Sequence, residues 1–290
     1  MILQKKHKVL VQGITGTQGR FWTERMQEYG TTVVGGVNPR RAGETCCDVP
    51  VFGSARDAVR ELGPIDYSVM FIPPSAALEA ATDAIEAGIG HVVTLTEHIP
   101  AHDVMRIHAA ARHHGARIIG PNTAGIVTPG EAFAGIMPAF NPRIFQPGDV
   151  GVVSRSGSLG TLISLQIVKA GRGQSAFIGI GGDPMLGTTT SEALAVLGED
   201  PRTESIVLVG EIGGTMEEDA ADVIRQLDKP VISFIAGRAS PPGKKMGHAG
   251  AIVMGDRGSY RSKREHLEAA GVVVVDTPGD IVGELQRLTA

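Results

Sequence analysis

At 290 residues the chain is long enough for two domains of ordinary size, each with its own core, and its hydrophobic share of 42% is that of a globular protein. A net charge of −4 at pH 7 argues against a general nucleic-acid binder, so local clusters such as Arg40-Arg41 and Lys244-Lys245 carry more information than the total. Aromatics make up 4% while glycines number 39, a balance that points to the tight turns and close backbone approaches of phosphate-binding α/β proteins.

Met1 to Lys8 is basic, but the apolar run after it is too short for a signal peptide, and no later stretch approaches a membrane span. The two cysteines, Cys46 and Cys47, are adjacent in an expected loop and so are poorly placed for a disulfide. A cytoplasmic protein is the expectation, although an imported one stripped of a transit peptide would look the same.

Val9 to Gln12 reads as a short buried strand. Glycines 13, 16 and 19 then open a helical pattern from Arg20 to Tyr29, closed by Gly30. Strand, glycine-rich turn and helix make an anion site, with Thr15, Gly16, Thr17 and Gln18 at the helix start; a tight turn without a ligand is the simpler alternative. The next strand, Thr32 to Val37, ends in Asn38-Pro39-Arg40-Arg41, where an NAD-binding fold would place Asp or Glu for the ribose. Arg41 favours instead a ligand with an extra phosphate, as in coenzyme A or NADP.

Strand and helix go on alternating: Tyr67 to Ile72, Ser75 to Ala87, His91 to Leu95, Ala101 to His114, Arg117 to Gly120. The pattern predicts a Rossmann-like doubly wound parallel sheet over residues 1–122, with Pro73-Pro74 and Thr96-Glu97-His98 at the strand ends that face the ligand crevice. His108, His113 and His114 have no partners at metal-ligand spacing and read as surface residues. A glycine- and proline-rich passage, 123–147, is expected as an irregular linker.

A second α/β unit, flavodoxin-like, is expected over 148–290. Its first strand feeds Ser154-Arg155-Ser156-Gly157-Ser158 and a helix from Leu159 to Ala170. Serines at a helix start cap it, or present N–H groups to an anion. The strand from Ser205 delivers Glu211 among glycines, and Gly247-His248-Ala249-Gly250 leaves both faces of one imidazole open. A neutral ring carries an in-plane lone pair that can attack phosphorus, and a carboxylate on its other nitrogen would fix the tautomer. Glu211 is the expected partner. The run from Gly237 to Lys245 resembles a degraded P-loop, but five residues separate Gly237 from Gly243-Lys244, two of them prolines, and Lys245 replaces the hydroxyl residue.

Five stretches in order resemble the α subunit of succinyl-CoA synthetase and its malate-CoA ligase relatives: Val11 to Gly19, Ser154 to Gly157, Gly179 to Pro184, Gly210 to Gly214, and Gly247 to Ile252. The resemblance implies that Arg41 stands where the family has a CoA-contacting lysine, that Leu95, Thr96 and Glu97 line the CoA site, and that the helix after Ser154 to Ser158 faces the phosphohistidine. It assigns His248 as the phosphorylated residue with Glu211 beside it. It also implies CoA as cofactor, and ATP or GTP with Mg2+ bound mainly by a separate β subunit with an ATP-grasp domain, in an αβ or α2β2 assembly. No ATP-binding apparatus is recognisable in this chain.

Where succinate enzymes continue with Tyr-Glu, this chain has Thr161-Leu162; Gly160 and Ala124-Gly125 are closer to malate-CoA ligases. A carboxylic acid other than, or broader than, succinate is therefore expected. The competing readings are an NADP-dependent dehydrogenase and a non-catalytic CoA-binding subunit.

Overall fold

Apolar runs bounded by glycines form the strands, and the amphipathic segments between them form the helices, in a computed structural model that describes residues 1–240, 247–253 and 257–288. The turn at 241–243, Lys244-Lys245 and the far end of the P-loop-like run lie outside the described residues.

The first unit runs β1 (Lys8–Gln12), α1 (Thr17–Tyr29), β2 (Thr32–Val37), β3 (Thr45–Cys46), β4 (Val49–Phe52), α2 (Ala55–Leu62), β5 (Tyr67–Met70), α3 (Ala77–Glu86), β6 (His91–Thr94), α4 (Ala101–His114) and β7 (Arg117–Ile119). Its sheet order is β3-β4-β2-β1-β5-β6-β7, and all pairings are parallel except β3 with β4. Without β3, that is the Rossmann order, and β1 and β5 are buried almost throughout, as a sheet covered on both faces requires.

Periodicity alone does not resolve β3 and β4, with two and four residues. Cys46 consequently lies in a strand rather than a loop. Cys47 and Asp48, at φ 52° and 59°, make the two-residue turn of that hairpin. Burial, then its contact with Cys46, pushes the Cys47 thiol up to about 12, so it is not a reactive thiolate. His108 is half-buried rather than superficial, and burial lowers its proton affinity; His113 and His114 are exposed.

The second unit runs β8 (Gly125–Thr128), β9 (Ala132–Gly135), β10 (Pro147–Ser154), α5 (Gly157–Lys169), β11 (Gln174–Gly179), α6 (Thr190–Glu199), β12 (Ser205–Glu211), α7 (Met216–Asp219), α8 (Ala221–Ile224), β13 (Val231–Ala236), α9 (Tyr260–Ala269), β14 (Val273–Val275) and α10 (Asp280–Arg287). Its sheet order is β14-β13-β12-β10-β11-β8-β9. The five parallel strands follow the flavodoxin order, and the antiparallel pair β8-β9 extends the edge beyond β11.

Residues 123–147 are thus not irregular throughout: they hold two wholly buried strands. The glycines that read as loop punctuation sit where those strands touch, since a Cβ on Gly125 would lie 2.0 Å from the Ala134 carbonyl oxygen. The two units meet on this pair. Trp22 and Tyr29 of α1 stand edge-on to Phe133 of β9 at 6.5 and 5.5 Å, and the Thr31 hydroxyl donates to the Phe133 carbonyl at 2.8 Å. Among the described residues no helix is long and apolar enough to cross a membrane.

Candidate active site

Ligands of open α/β sheets bind at the carboxyl ends of strands where the strand order reverses. In the second sheet that point lies between β10 and β12, which pair from Val150 with Ser205 to Ser154 with Val209. Their ends deliver Arg155 and Ser156 on one side and Glu211 on the other. Ser156 is the N-cap of α5, its hydroxyl accepting from the Leu159 N–H at 3.4 Å. From the segment following β13 comes His248, whose Nδ1 is 2.8 Å from Glu211 Oε2. A cavity of about 280 Å³ opens here, lined by Ser156, Ser158, Leu159, Glu211, His248 and Ala251 among others.

Ser154, Gly157, Thr161 and Leu162 are not among the residues that line it. Ser154 is buried and donates its hydroxyl to the Ser156 carbonyl at 2.7 Å. The Thr161 hydroxyl donates to the Gly157 carbonyl one turn back, at 2.8 Å, and Leu162 is exposed. Gly157 serves packing, since a Cβ there would lie 2.6 Å from that of Ala124.

The platform under the imidazole is glycine. A Cβ on Gly182 would fall 2.5 Å from the His248 ring, so a side chain there would displace the imidazole. Gly182 also ties the histidine segment to the first unit. Gly250 N–H donates to the Gly182 carbonyl at 3.2 Å, Gly182 N–H to the Asn122 carbonyl at 3.1 Å, and Asn122 N–H to the Thr96 carbonyl at 3.0 Å. The Asn122 side chain donates to Asp183 at 3.0 Å. Three hydrogen bonds therefore connect the crevice of the first sheet with the histidine of the second.

The hydrogen bond to Glu211 raises the proton affinity of His248, burial opposes it, and the charges of Glu211 and Arg155 act in opposite senses. Arg155 Nη2 lies 3.3 Å from Glu211 Oε1, and Arg155 Nη1 donates to the Gly213 carbonyl at 2.9 Å. Beyond them Glu217 pairs with Lys263, both fully buried. Burial pushes the Glu217 carboxyl up, but Lys263 and then Arg155 outweigh it and hold the group below its ordinary range. Glu217 and Lys263 escape a reading of the sequence, because Glu217-Glu218-Asp219 and the basic run Arg261 to Arg264 look like solvated faces.

In the first unit, Gly13 takes φ 77°, and a Cβ on Gly19 would lie 2.2 Å from the Gly13 carbonyl oxygen, so the loop closes tightly on the start of α1. Gly16 caps that helix with no side-chain bond, and Thr17 is its first residue. Thr15 accepts from the Asn38 side chain at 2.5 Å, and Gln18 accepts from the Trp22 indole at 3.1 Å. Arg41 is exposed at the end of β2, paired with Glu44 at 2.6 Å. Pro73 precedes a single 3₁₀ turn, Leu95 packs on the core, Thr96 donates to the Ile72 carbonyl at 2.6 Å, and Glu97 is exposed. The crevice beside them is a cavity of about 270 Å³ lined by Gln12, Val37, Pro39, Ile72 and Ala76, together with Ser54, Glu79 and Asp83, which the sequence did not single out.

The comparisons with known proteins agree with this two-part layout. Residues 4–98 match the CoA binding domain family and residues 153–273 the CoA-ligase family. Over 281 residues the chain is 48% identical to the ADP-forming succinate–CoA ligase subunit alpha 2 of Archaeoglobus fulgidus, covering 97% of this chain and 96% of that one. The chain belongs to the CoA-ligase α-subunit family. Within that family it is also 41% identical, over 290 residues, to an ADP-forming sulfoacetate-CoA ligase subunit from an Acholeplasma species, covering 99% of this chain and 98% of the other. Among solved structures, ATP citrate lyase from Methanothrix soehngenii in complex with citrate and coenzyme A superposes with a TM-score of 0.90 at 23% identity, a likeness of fold. The match covers 99% of this chain and 51% of that one, so the chain spans about half the length of that protein.

Proposed function

We propose that the chain is the α subunit of an acid–CoA ligase in which His248 carries a phosphoryl group from a nucleoside triphosphate to a carboxylic acid. The observation that carries the reading is the 2.8 Å contact between His248 Nδ1 and Glu211 Oε2 at the mouth of a cavity that also holds the Ser156 and Ser158 hydroxyls. With its Nδ1 proton held by Glu211, the ring offers Nε2 as the nucleophile. Nε2 bonds to the γ-phosphorus as the nucleoside diphosphate leaves. The imidazolium that results is stabilised by the Glu211 carboxylate, while the start of α5 faces the phosphoryl oxygens.

An oxygen of the substrate carboxylate then attacks phosphorus and releases the imidazole. The thiolate of CoA displaces phosphate from the acyl phosphate and leaves a thioester. CoA is assigned to the first unit, with its phosphates toward Thr15 to Gln18 and Arg41, and its thiol end led past Pro73 and Leu95 to Glu97 toward His248. The tight Gly13 to Gly19 turn and the uncapped start of α1 fit such an anion. ATP or GTP with Mg2+ is assigned mainly to a β subunit with an ATP-grasp domain, in a heteromer of αβ or α2β2 form.

The substrate is proposed as a small acid bearing a second anionic group, not restricted to succinate. Thr161 is bonded to its own helix, and Leu162 brings no charge where succinate enzymes have Glu. Reconstitution with the β subunit and a panel of succinate, malate and sulfoacetate checks the reading. Nucleoside diphosphate release that needs both CoA and one of these acids is expected; release with none of them contradicts ligase activity, and strict preference for succinate contradicts the substrate assignment.

A further inference from the structure

Behind Glu211 lies a second rank of charge to which the phosphoryl-transfer steps give no task. Arg155 approaches Glu211 Oε1 at 3.3 Å with Nη2 and Glu217 Oε1 at 3.6 Å with Nη1. Glu217 accepts the Glu211 backbone N–H at 3.1 Å and pairs with Lys263, which also donates to the Gly213 carbonyl at 2.9 Å. The side chains of Arg155, Glu217 and Lys263 are 2%, 0% and 0% exposed. Burying three charges is costly, and a single Glu217–Lys263 pair would suffice to anchor α9 against the segment after β12. Here the chain of charge continues to the carboxylate that touches His248.

Its geometry is incomplete in one informative place. Glu211 Oε1 and Arg155 Nε are both buried, and neither has a hydrogen-bond partner among the described residues. Glu211 is held by one full hydrogen bond, to His248, and one looser ionic contact, to Arg155. The guanidinium lies between two carboxylates: Nη1 donates to the Gly213 carbonyl at 2.9 Å and stands 3.6 Å from Glu217 on the far side. On its near side it reaches the histidine segment itself, since a Cβ on Gly250 would fall 2.8 Å from Nη2.

We infer that Arg155, shared between Glu211 and Glu217, is a positioning residue that sets how strongly Glu211 holds the Nδ1 proton of His248. If Arg155 closed fully on Glu211, the carboxylate would be a weaker acceptor and the ring would lose its orientation. Without Arg155, Glu211 would hold the proton more strongly, and the ring would stay doubly protonated to higher pH, with no lone pair on Nε2. Among the described residues the charged groups facing His248 are Glu211 from β12, Arg155 after β10 and Asp183 after β11. The consequence for catalysis rests on the phosphohistidine reading; the coupling itself does not.

The test is an NMR titration of the full chain carrying 13Cε1-labelled histidine, with His248→Asn assigning the resonance. Arg155→Met is expected to move the His248 midpoint up by about one pH unit, and Arg155→Lys to bring it back toward the wild-type value. The double variant Glu217→Gln/Lys263→Met removes the second carboxylate of Arg155 together with its lysine, leaves the guanidinium charge to Glu211, and is expected to move the midpoint down. In the reconstituted enzyme the acidic limb of the phosphorylation rate follows in the same directions. A purely structural network would lower the folded fraction or the rate at every pH and leave the midpoint in place. Unmoved midpoints, or shifts of one sign in Arg155→Met and the double variant, overturn the inference. If Arg155→Met does not fold, the double variant decides alone: a downward shift supports the coupling, and no shift or an upward one defeats it. Opposed midpoint shifts with no labelling of wild-type His248 by ATP would retain the coupling and remove the phosphohistidine reading.

Discussion

Glu211→Gln slows phosphorylation of His248 in the reconstituted enzyme by about 10²- to 10⁴-fold, the range associated with losing a positioned acid–base partner. The amide has nearly the shape of the carboxylate but no charge, so it neither enforces one tautomer nor stabilises the imidazolium formed on phosphorylation. The sign of the accompanying pH effect follows from the raised proton affinity of His248, whose largest cause is the Glu211 hydrogen bond. Removing that partner lowers the His248 pKa, so the acidic limb of the rate profile moves to lower pH even as the plateau falls. The stability contribution moves with it. A raised histidine pKa contributes stability that is fully present below the ordinary imidazole value and lost as pH rises through the folded-state value. The variant lacks this contribution, so its pH-dependent stability deficit is largest on the acid side and vanishes above the wild-type midpoint. Rapid-quench labelling with γ-labelled ATP over pH reads the rate, and an undiminished plateau would contradict the role given to Glu211.

Lys263→Met carries the largest expected cost in stability, about 3–5 kcal/mol, because it leaves the buried Glu217 carboxylate with only the longer Arg155 contact and the Glu211 N–H. Removing both members of the pair is a different experiment. Glu217→Gln/Lys263→Met leaves no unpaired buried charge between the two positions, and most of the loss is expected to return. Chemical denaturation of wild type, single and double variants measures the difference. Equal losses in both variants would mean that the site depends on the shape of lysine rather than on its charge.

How much of this was legible depends on element length and on what a charge faces. The long parallel strands announce themselves, since Val9 to Gln12 and Ser205 to Glu211 are apolar runs ended by glycine-rich turns. The parallel, doubly wound core of both sheets follows from the alternation of strand and helix. The hairpin at Thr45 to Phe52 and the pair β8-β9 do not, being two to four residues long and punctuated by residues that also make loops. At the site, Glu211 and His248 stand out as a strand-end carboxylate and a glycine-flanked imidazole. The hydroxyls around them are harder to sort, because a run of serines does not say that Ser154 turns inward while Ser156 and Ser158 face the cavity. Glu217 and Lys263 are invisible for a stronger reason. Charged residues two positions away, Asp219 and Arg261, are exposed, and only the packing of α7 against α9 shows that these two are not.

The most direct measurement locates the phosphoryl group. After brief exposure of the reconstituted enzyme to γ-labelled ATP at alkaline pH, peptide mapping with 31P NMR of the intact protein should find one acid-labile phosphoryl group, on Nε2 of His248, discharged by the carboxylic acid and CoA together and absent from His248→Asn. Label that persists in His248→Asn, or that resides on a serine of the 154–158 turn, would contradict the account.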